Sequence, residues 1–130
     1  MPIQTPICDF GKKALPFELK STEKTFISLN DFIGKNGTLI MFICNHCPYV
    51  KTIIKDLVKD CSKLKEFGIN SLAICSNDYI SYPEDSFENM IKFSNDNKFG
   101  FPYLIDETQK VAKAYNAVCT PDFFGYNKDL

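Results

Sequence analysis

The sequence has no long apolar run, no arginine and no cluster of basic residues. Nowhere do about 18 apolar residues follow one another, so no transmembrane helix is expected. All 15 basic residues are lysines, they are scattered among 16 acidic residues, and the formal net charge is −1. This balance argues against nucleic acid or an anionic membrane as a partner. The N-terminal stretch MPIQTPICDFGKKALPFELK has no apolar core of a signal peptide, so we expect a cytoplasmic protein.

The composition is that of one globular domain. The chain has 130 residues, of which 45% are hydrophobic and 24% are charged, and we expect residues 1–130 to form a single packed domain. It contains six cysteines. In the cytoplasm these are expected to be free thiols, redox groups or metal ligands rather than a structural disulfide framework. No cofactor is predicted.

The first half of the chain predicts a hairpin followed by a strand, a helix and a strand. The runs PFELK and TFISL alternate in polarity around a polar turn, and Asn30-Asp31 is a candidate cap for a short helical turn. The continuous apolar run Thr38–Cys44 predicts a central strand buried on both faces. From Pro48 to Gly68, apolar residues recur at helical spacing, and the run INSLAIC then predicts a second buried strand.

The second half continues the alternation. Ser81 and Glu84 have the spacing of a capping box, so a helix is predicted to begin near them. FPYLI predicts a strand, DETQKVAKAY a helix, and TPDFF a strand that starts at a proline. Strands that alternate with helices indicate an α/β fold, a central sheet with helices on its faces.

The segment FICNHCPYVK lies where chemistry is expected, between a central strand and the longest amphipathic helix. Proline favours the first helical position, which makes Cys47 the predicted N-cap residue. A sulfur there faces free backbone N–H groups and the positive end of the helix dipole, and both stabilise the thiolate. Cys47 is therefore the predicted nucleophile.

Two neighbours of Cys47 are candidate partners. Cys44, three residues earlier, can approach Cys47 closely enough for a disulfide if the intervening turn allows it; alternatively it is a small buried hydrophobe. His46 is the single histidine and could hydrogen-bond the thiolate or act as its base, or be an ordinary turn residue. A metal site made of Cys44, His46 and Cys47 needs a fourth ligand, so no metal is predicted.

The other cysteines differ by position. Cys61 lies on the apolar helix stripe and is predicted to be core, and Cys8 has no assigned place. Cys75 ends the second buried strand at the same sheet edge as the site. Cys75 and Cys119 are therefore additional candidate thiols.

The chain resembles the redoxin superfamily of thioredoxin-fold proteins, which includes alkyl hydroperoxide reductase and thiol-specific antioxidant proteins. A peroxiredoxin-like subgroup is similar in the segments FICNHCPYVK, SNDYISYPEDS, FPYLIDETQKVAKAY and CTPDFF. The resemblance implies a thioredoxin-like fold with a mixed sheet and an N-terminal hairpin. It places Cys47 at the first active-site cysteine and Val50 where a second cysteine would stand. Thr120 and Pro121 correspond to the cis-proline loop that aligns a substrate.

Three departures from that family matter. Cys44 stands where peroxiredoxins carry a threonine, and the chain has no arginine to activate peroxide. The sequence also ends where TPDFFGYNKD should lead into a last strand and a C-terminal helix, so we expect a fold truncated before those elements, with an unpaired sheet edge.

Three functions follow, in order of preference. The first is a thiol–disulfide oxidoreductase with an antioxidant role, in which Cys47 attacks a protein or small-molecule disulfide, Cys44 resolves the mixed disulfide and His46 tunes Cys47. The second is an atypical thiol peroxidase that reduces hydroperoxides through a sulfenic acid. The third is a non-catalytic binding module with inert cysteines.

Overall fold

The computed structural model describes residues 13–76, 80, 82–117 and 120–128. One six-stranded sheet organises them, with the strand order β2-β1-β5-β4-β3-β6. β3, β4 and β5 are parallel to one another, while β1, β2 and β6 join antiparallel, so the sheet is mixed as expected. The strands are β1 Glu18–Ser21, β2 Phe26–Ser28, β3 Gly37–Phe42, β4 Ile69–Cys75, β5 Tyr103–Ile105 and β6 Asp122–Asn127. The helices are α1 Pro48–Glu66, α2 Phe87–Asp96 and α3 Lys110–Ala114, with short 3-10 turns at Leu29–Phe32 and Pro83–Asp85.

The N-terminal hairpin forms as predicted. β1 and β2 pair from Glu18 opposite Ser28, and β1 joins the main sheet through β5. The helical turn that follows exists, but its predicted cap is wrong. Ser28 occupies the N-cap position without a side-chain hydrogen bond, and Asn30-Asp31 lie inside the turn.

Strand alternation divides the core of the sheet into two faces. The thiol face is built on Met41, Ile43, Ala73, Cys75, Tyr103 and Ile105, and α1 and α2 cover it with Val50, Ile54, Cys61 and Met90. The thiol-free face is built on Ile40, Phe42, Leu72, Ile74 and Leu104, and Phe17, Leu29 and Tyr115 cover it. Successive side chains of a strand point to opposite sides, which is why each central strand contributes to both faces.

α1 begins where Pro48 predicts. Cys47 is its N-cap residue, and the N–H of Lys51 donates to the Cys47 carbonyl at 3.0 Å, the first bond of the helix. Its buried stripe is Val50, Ile54 and Cys61. Although α1 has 19 residues, its lysines and acids make it amphipathic, and no helix in the described part of the chain could cross a membrane.

The remaining elements differ from prediction at their starts. α2 begins at Phe87, because Ser86 is the cap and accepts a hydrogen bond from the N–H of Asn89; the predicted capping box at Ser81 and Glu84 is wrong for this helix, and Ser81 itself lies outside the described residues. α3 begins at Lys110, because Gln109 has a left-handed φ of 62° that a helix cannot include. β6 begins just after Pro121 and pairs with β3 at the edge of the sheet.

Candidate redox site

The segment 43–47 carries two thiols beyond the carboxyl end of the parallel strands. β3 stops at Phe42, two residues before the predicted end, and Ile43 still donates its N–H to Ile74 at 3.0 Å. Cys44 is fully buried and Cys47 is 8% exposed. Both are free thiols. Cys44 thus lies fully inside the core, while Cys47, at the start of the helix, keeps a small exposed fraction.

Thr120 connects the two sulfurs. Its hydroxyl shares a hydrogen bond with the Cys44 thiol at 3.4 Å, and its carbonyl accepts a hydrogen bond from the Cys47 thiol, also at 3.4 Å. The peptide bond between Thr120 and Pro121 is cis, as the resemblance implied. The loop before β6 therefore faces both cysteines.

The surroundings of Cys47 favour its thiolate. Burial raises the pKa of Cys47, but hydrogen bonds from the Thr120 hydroxyl, from the backbone N–H groups of Val50 and Tyr49 and from the Cys44 thiol outweigh burial and hold the pKa below its ordinary value. Neither backbone group makes a well-formed cap hydrogen bond to the neutral thiol. The helix start thus acts mainly on the charged form, as expected for a sulfur at an N-terminus.

Cys44 has the opposite tendency. Burial, with smaller contributions from the charges of Asp85 and Cys47, raises the pKa of Cys44 from 9.0 to about 11, although the hydrogen bond with Thr120 works against the rise. Two thiols within reach of one residue are therefore distinguished by their surroundings: Cys47 ionises first and Cys44 stays protonated at neutral pH.

A buried carboxylate, Asp85, organises the turn between the cysteines. The side chain of Asp85 is fully buried, and its Oδ1 accepts a hydrogen bond from the N–H of Asn45 at 2.7 Å. Asn45 in turn donates to the Glu84 carbonyl at 2.8 Å and accepts a hydrogen bond from the Tyr103 hydroxyl at 2.9 Å. These bonds tie the segment 43–47 to the 3-10 turn and to β5.

His46 pairs with the same carboxylate. Its Nδ1 lies 2.5 Å from Oδ2 of Asp85, and its ring stacks on Tyr82 with the centroids 5.1 Å apart. His46 is not among the groups that shift the pKa of Cys47. Its predicted role as the base of Cys47 stays a prediction, whereas its contact with Asp85 was not foreseen. The only sequence signal for Asp85 was its place in the segment SNDYISYPEDS, to which no chemistry was assigned.

The sequence model described as the AhpC/TSA family matches residues 10–129, which is nearly the whole chain. The chain belongs to the AhpC/TSA family. No curated protein sequence matches it.

Solved structures support the same placement of this AhpC/TSA chain. An uncharacterised conserved protein from Geobacillus kaustophilus is 45% identical, with a TM-score of 0.96 over 100% of this chain and 70% of that one. A hypothetical protein from Sinorhizobium meliloti is 37% identical, with a TM-score of 0.92 over 96% of this chain and 68% of its own. The thioredoxin domain of a thiol-disulfide oxidoreductase from Bacteroides vulgatus is 20% identical, with a TM-score of 0.74 over 91% of this chain and 81% of that one. That likeness shows the thioredoxin-like fold.

The additional thiols of this AhpC/TSA chain take different places. Cys75 is buried in the same apolar cluster as Cys44 and Cys47, beneath the site and beside Tyr103. Cys61 packs with its sulfur 3.9 Å from that of Met41, and burial raises its pKa, as expected for a core residue. Cys8 and Cys119, the latter a predicted additional thiol, lie outside the described residues.

One group of potential metal ligands forms in the described part of the chain. Ligand atoms of Cys44, His46 and Asp85 lie within 4.8 Å of one another, so this group contains Asp85 instead of the Cys47 considered from the sequence. Ligand atoms bound to one tetrahedral zinc ion are roughly 3.3 Å or more apart, given metal–ligand distances of about 2.0 Å. The 2.5 Å between Nδ1 of His46 and Oδ2 of Asp85 is shorter, and it identifies a direct imidazole–carboxylate contact instead.

Proposed function

We propose that this protein is a thiol–disulfide oxidoreductase in which Cys47 is the nucleophile and Cys44 the resolving thiol. The observation that carries the proposal is that two neighbouring thiols have pKa values shifted in opposite directions. The pKa of Cys47 is lowered and that of Cys44 is raised. A thiolate attacks disulfides, so of these two thiols Cys47 is the one whose surroundings favour the reactive form. The family and the fold of its relatives agree with this chemistry.

The reaction balances without a cofactor. The Cys47 thiolate attacks one sulfur of a substrate disulfide, forms a mixed disulfide and releases the other sulfur as a thiolate. Cys44 then attacks the Cys47 sulfur, a Cys44–Cys47 disulfide forms, and the second substrate sulfur leaves as a thiol. The substrate gains two electrons, and the two cysteines lose them. The substrate class is a protein or small-molecule disulfide, and Thr120 and Pro121 position it.

Val50 supports the choice of Cys44 as the resolving residue. Val50 occupies the position of the usual second cysteine, and it is a fully buried aliphatic side chain in the first turn of α1. The Cys44 thiol lies close enough to contribute a hydrogen bond to Cys47. Cys44 is thus in direct contact with the nucleophile.

The decisive experiment is the alkylation rate of each cysteine against pH, measured by peptide mass spectrometry on the reduced protein. Cys47 is expected to react fastest, with an apparent pKa below that of an ordinary thiol. A Cys47→Ser variant is the matched control, because it removes the fast phase alone. If Cys44 reacts first, the roles are reversed; if neither cysteine reacts faster than a peptide thiol, the chain is an inert binding module.

A thiol peroxidase is the second candidate, and membership of the AhpC/TSA family favours it. In that reaction the Cys47 thiolate takes the terminal oxygen of a hydroperoxide, becomes a sulfenic acid and leaves an alcohol. The absence of arginine and the presence of Cys44 at the threonine position weigh against it. One equivalent of hydroperoxide with a sulfenic-acid trap separates the two functions, since rapid labelling of Cys47 would favour the peroxidase.

A further inference from the structure

The resolving step needs a proton acceptor, a requirement that rests on the proposed function. Cys44 is fully buried and its pKa is raised to about 11, so very little of it is thiolate at neutral pH. It nevertheless has to attack as a thiolate. A base beside Cys44 would accept the proton and so allow the thiolate to form.

The imidazole–carboxylate pair of His46 and Asp85 stands next to Cys44. Ligand atoms of the three side chains lie within 4.8 Å of one another. Asp85 is held from the other side by the N–H of Asn45 at 2.7 Å, so its carboxylate cannot turn away from His46 without breaking a buried hydrogen bond. The pair is therefore fixed in place before Cys44 has to react.

His46 also has an exposed part. Its side chain is 30% exposed, while the side chain of Asp85 is fully buried. The ring is fixed from a second direction by its stacking on Tyr82, at an interplanar angle of 4°. One edge of the imidazole thus meets a buried carboxylate, and part of the ring is open to solvent.

We propose that His46, positioned by Asp85, takes the proton of Cys44 in the resolving step and delivers it to the departing substrate thiolate. The Cys44 S–H bond breaks and an imidazolium forms beside the Asp85 carboxylate. The Cys44 thiolate attacks Cys47, the sulfur–sulfur bond to the substrate breaks, and the imidazolium protonates the leaving sulfur. His46 ends neutral, and no outside oxidant or reductant is needed.

Electrostatics favour this route over loss of the proton to water. Ionising Cys44 alone places a second negative charge near Asp85, and that charge is one cause of the raised pKa of Cys44. Moving the proton to His46 creates an opposite pair instead, so the buried net charge does not change. Asp85 becomes the partner of the imidazolium and stabilises the transferred proton.

Other titratable groups facing the cluster are poor acceptors. Tyr103, on β5, donates to Asn45, and burial raises its pKa well above the ordinary value. Cys75, on β4, is buried beside Tyr103, and Cys47, at the start of α1, is consumed in the mixed disulfide. Tyr82, in the segment before the 3-10 turn, uses its ring face on His46. His46 is the one member of this set that has its ring nitrogen beside both the Asp85 carboxylate and the Cys44 thiol and is also partly exposed.

The test is a two-phase reaction of the reduced protein with dithiobis(nitrobenzoate), whose thiolate product is coloured. The first phase is attack by Cys47, and the second is resolution by Cys44, identified as the phase that Cys44→Ser removes. The second-phase rate, taken relative to the first, is expected to fall about tenfold or more at pH 7 in His46→Gln and Asp85→Asn. Its pH dependence is expected to steepen towards tenfold per unit, as for an unaided thiol of high pKa.

The leaving-group half of the proposal needs a second probe. The nitrobenzoate thiolate leaves without a proton, whereas the product of cystamine requires one. The defect of His46→Gln is therefore expected to be larger with cystamine than with the aromatic disulfide. Equal defects with the two probes would overturn the delivery of the proton to the substrate.

Three outcomes separate this proposal from the function on which it rests. If the wild type shows no first phase, the proposed function fails. If the first phase occurs but His46→Gln keeps the wild-type ratio and pH slope, His46 is not the proton carrier. Tyr103→Phe removes a hydrogen bond to the same turn without altering the pair; an equal defect in that variant would mean that turn order, not proton transfer, limits resolution.

Discussion

The two faces of the sheet differ in their content of sulfur-bearing side chains. The buried cluster of the thiol face contains six sulfur-bearing side chains, namely Met41, Cys44, Cys47, Cys61, Cys75 and Met90. The buried cluster of the thiol-free face contains none and consists of aliphatic and aromatic residues. Both clusters share the same strands, and adjacent residues such as Phe42 and Ile43 belong to opposite faces.

This division shows how a small protein can separate stability from chemistry. The candidate site on this side holds buried polar groups, including Asp85, Asn45 and the thiols of Cys44 and Cys47, each with hydrogen bonds that burial makes costly to lose. The thiol-free face packs rings against one another, as Phe42 does with Tyr115 at 5.8 Å and Phe124 at 5.7 Å. We therefore expect changes on the thiol-free face to alter stability without altering thiol reactivity.

The largest effect should come from Phe42→Ala. The side chain of Phe42 is 2% exposed, and its removal is expected to cost about 3 to 5 kcal/mol of unfolding free energy in urea titrations. Under conditions where the variant is folded, the apparent pKa of Cys47 should not move. Phe67→Ala, at a ring that is 68% exposed, is the matched control and should change stability little. A shifted Cys47 pKa in Phe42→Ala would mean that the faces are coupled.

The next effect is a loss of stability in alkali through Cys44. The folded-state pKa of about 11 lies above the ordinary 9.0, so the protonated thiol stabilises the fold below pH 9 and this contribution disappears as the pH rises through about 11. The loss should amount to about 3 kcal/mol at most. Denaturant midpoints measured between pH 8 and about 11 should fall more steeply in the wild type than in Cys44→Ala, and parallel curves would contradict the assignment.

Thr120→Val should lower the reactivity of Cys47 while both thiols of the site remain in place. Valine keeps the branched shape but removes the hydroxyl whose hydrogen bond helps to lower the pKa of Cys47. The pKa of Cys47 is expected to rise, and its alkylation rate near pH 7 to fall up to about tenfold. Thr120→Ser, which retains the hydroxyl, should stay close to the wild type. If both variants behave alike, the hydroxyl does not stabilise the thiolate.

Cys61→Ala should have the smallest effect. It compares a core cysteine of the thiol face with the cysteines of the site. Cys61 is 5% exposed and contacts Met41, so its truncation should cost about 1 kcal/mol of stability. Neither phase of disulfide exchange should change, because Cys61 lies more than three helical turns from Cys47 along α1. A slower exchange reaction would show that thiol chemistry extends along the helix.

The sequence was informative wherever a local pattern determines the structure. The apolar run of β4 predicted Ile69–Cys75 with the bounds observed, and Pro48 predicted that Cys47 caps α1. Local patterns failed where two signals competed. Ser81 and Ser86 are both plausible caps within one segment, and the left-handed conformation of Gln109 has no marker in the sequence.

The pair of His46 and Asp85 was beyond the reach of local patterns for a different reason. The two residues are far apart in the chain, and only the packing of the 3-10 turn Pro83–Asp85 against the segment 43–47 brings them together. Cys47 could be predicted to be the more acidic of the two cysteines, because Pro48 places it at the start of a helix. The partner that fixes His46 required the tertiary structure.

Thr120 can serve as a reporter of the state of the site. Its carbonyl accepts a hydrogen bond from Cys47 only while that residue carries a proton, and its hydroxyl is a donor available to a thiolate. A Cys44–Cys47 disulfide has no S–H group to donate. The thiol, thiolate and disulfide forms therefore leave three different hydrogen-bond patterns on one residue, and isotope labels on Thr120 would distinguish them spectroscopically in a single sample.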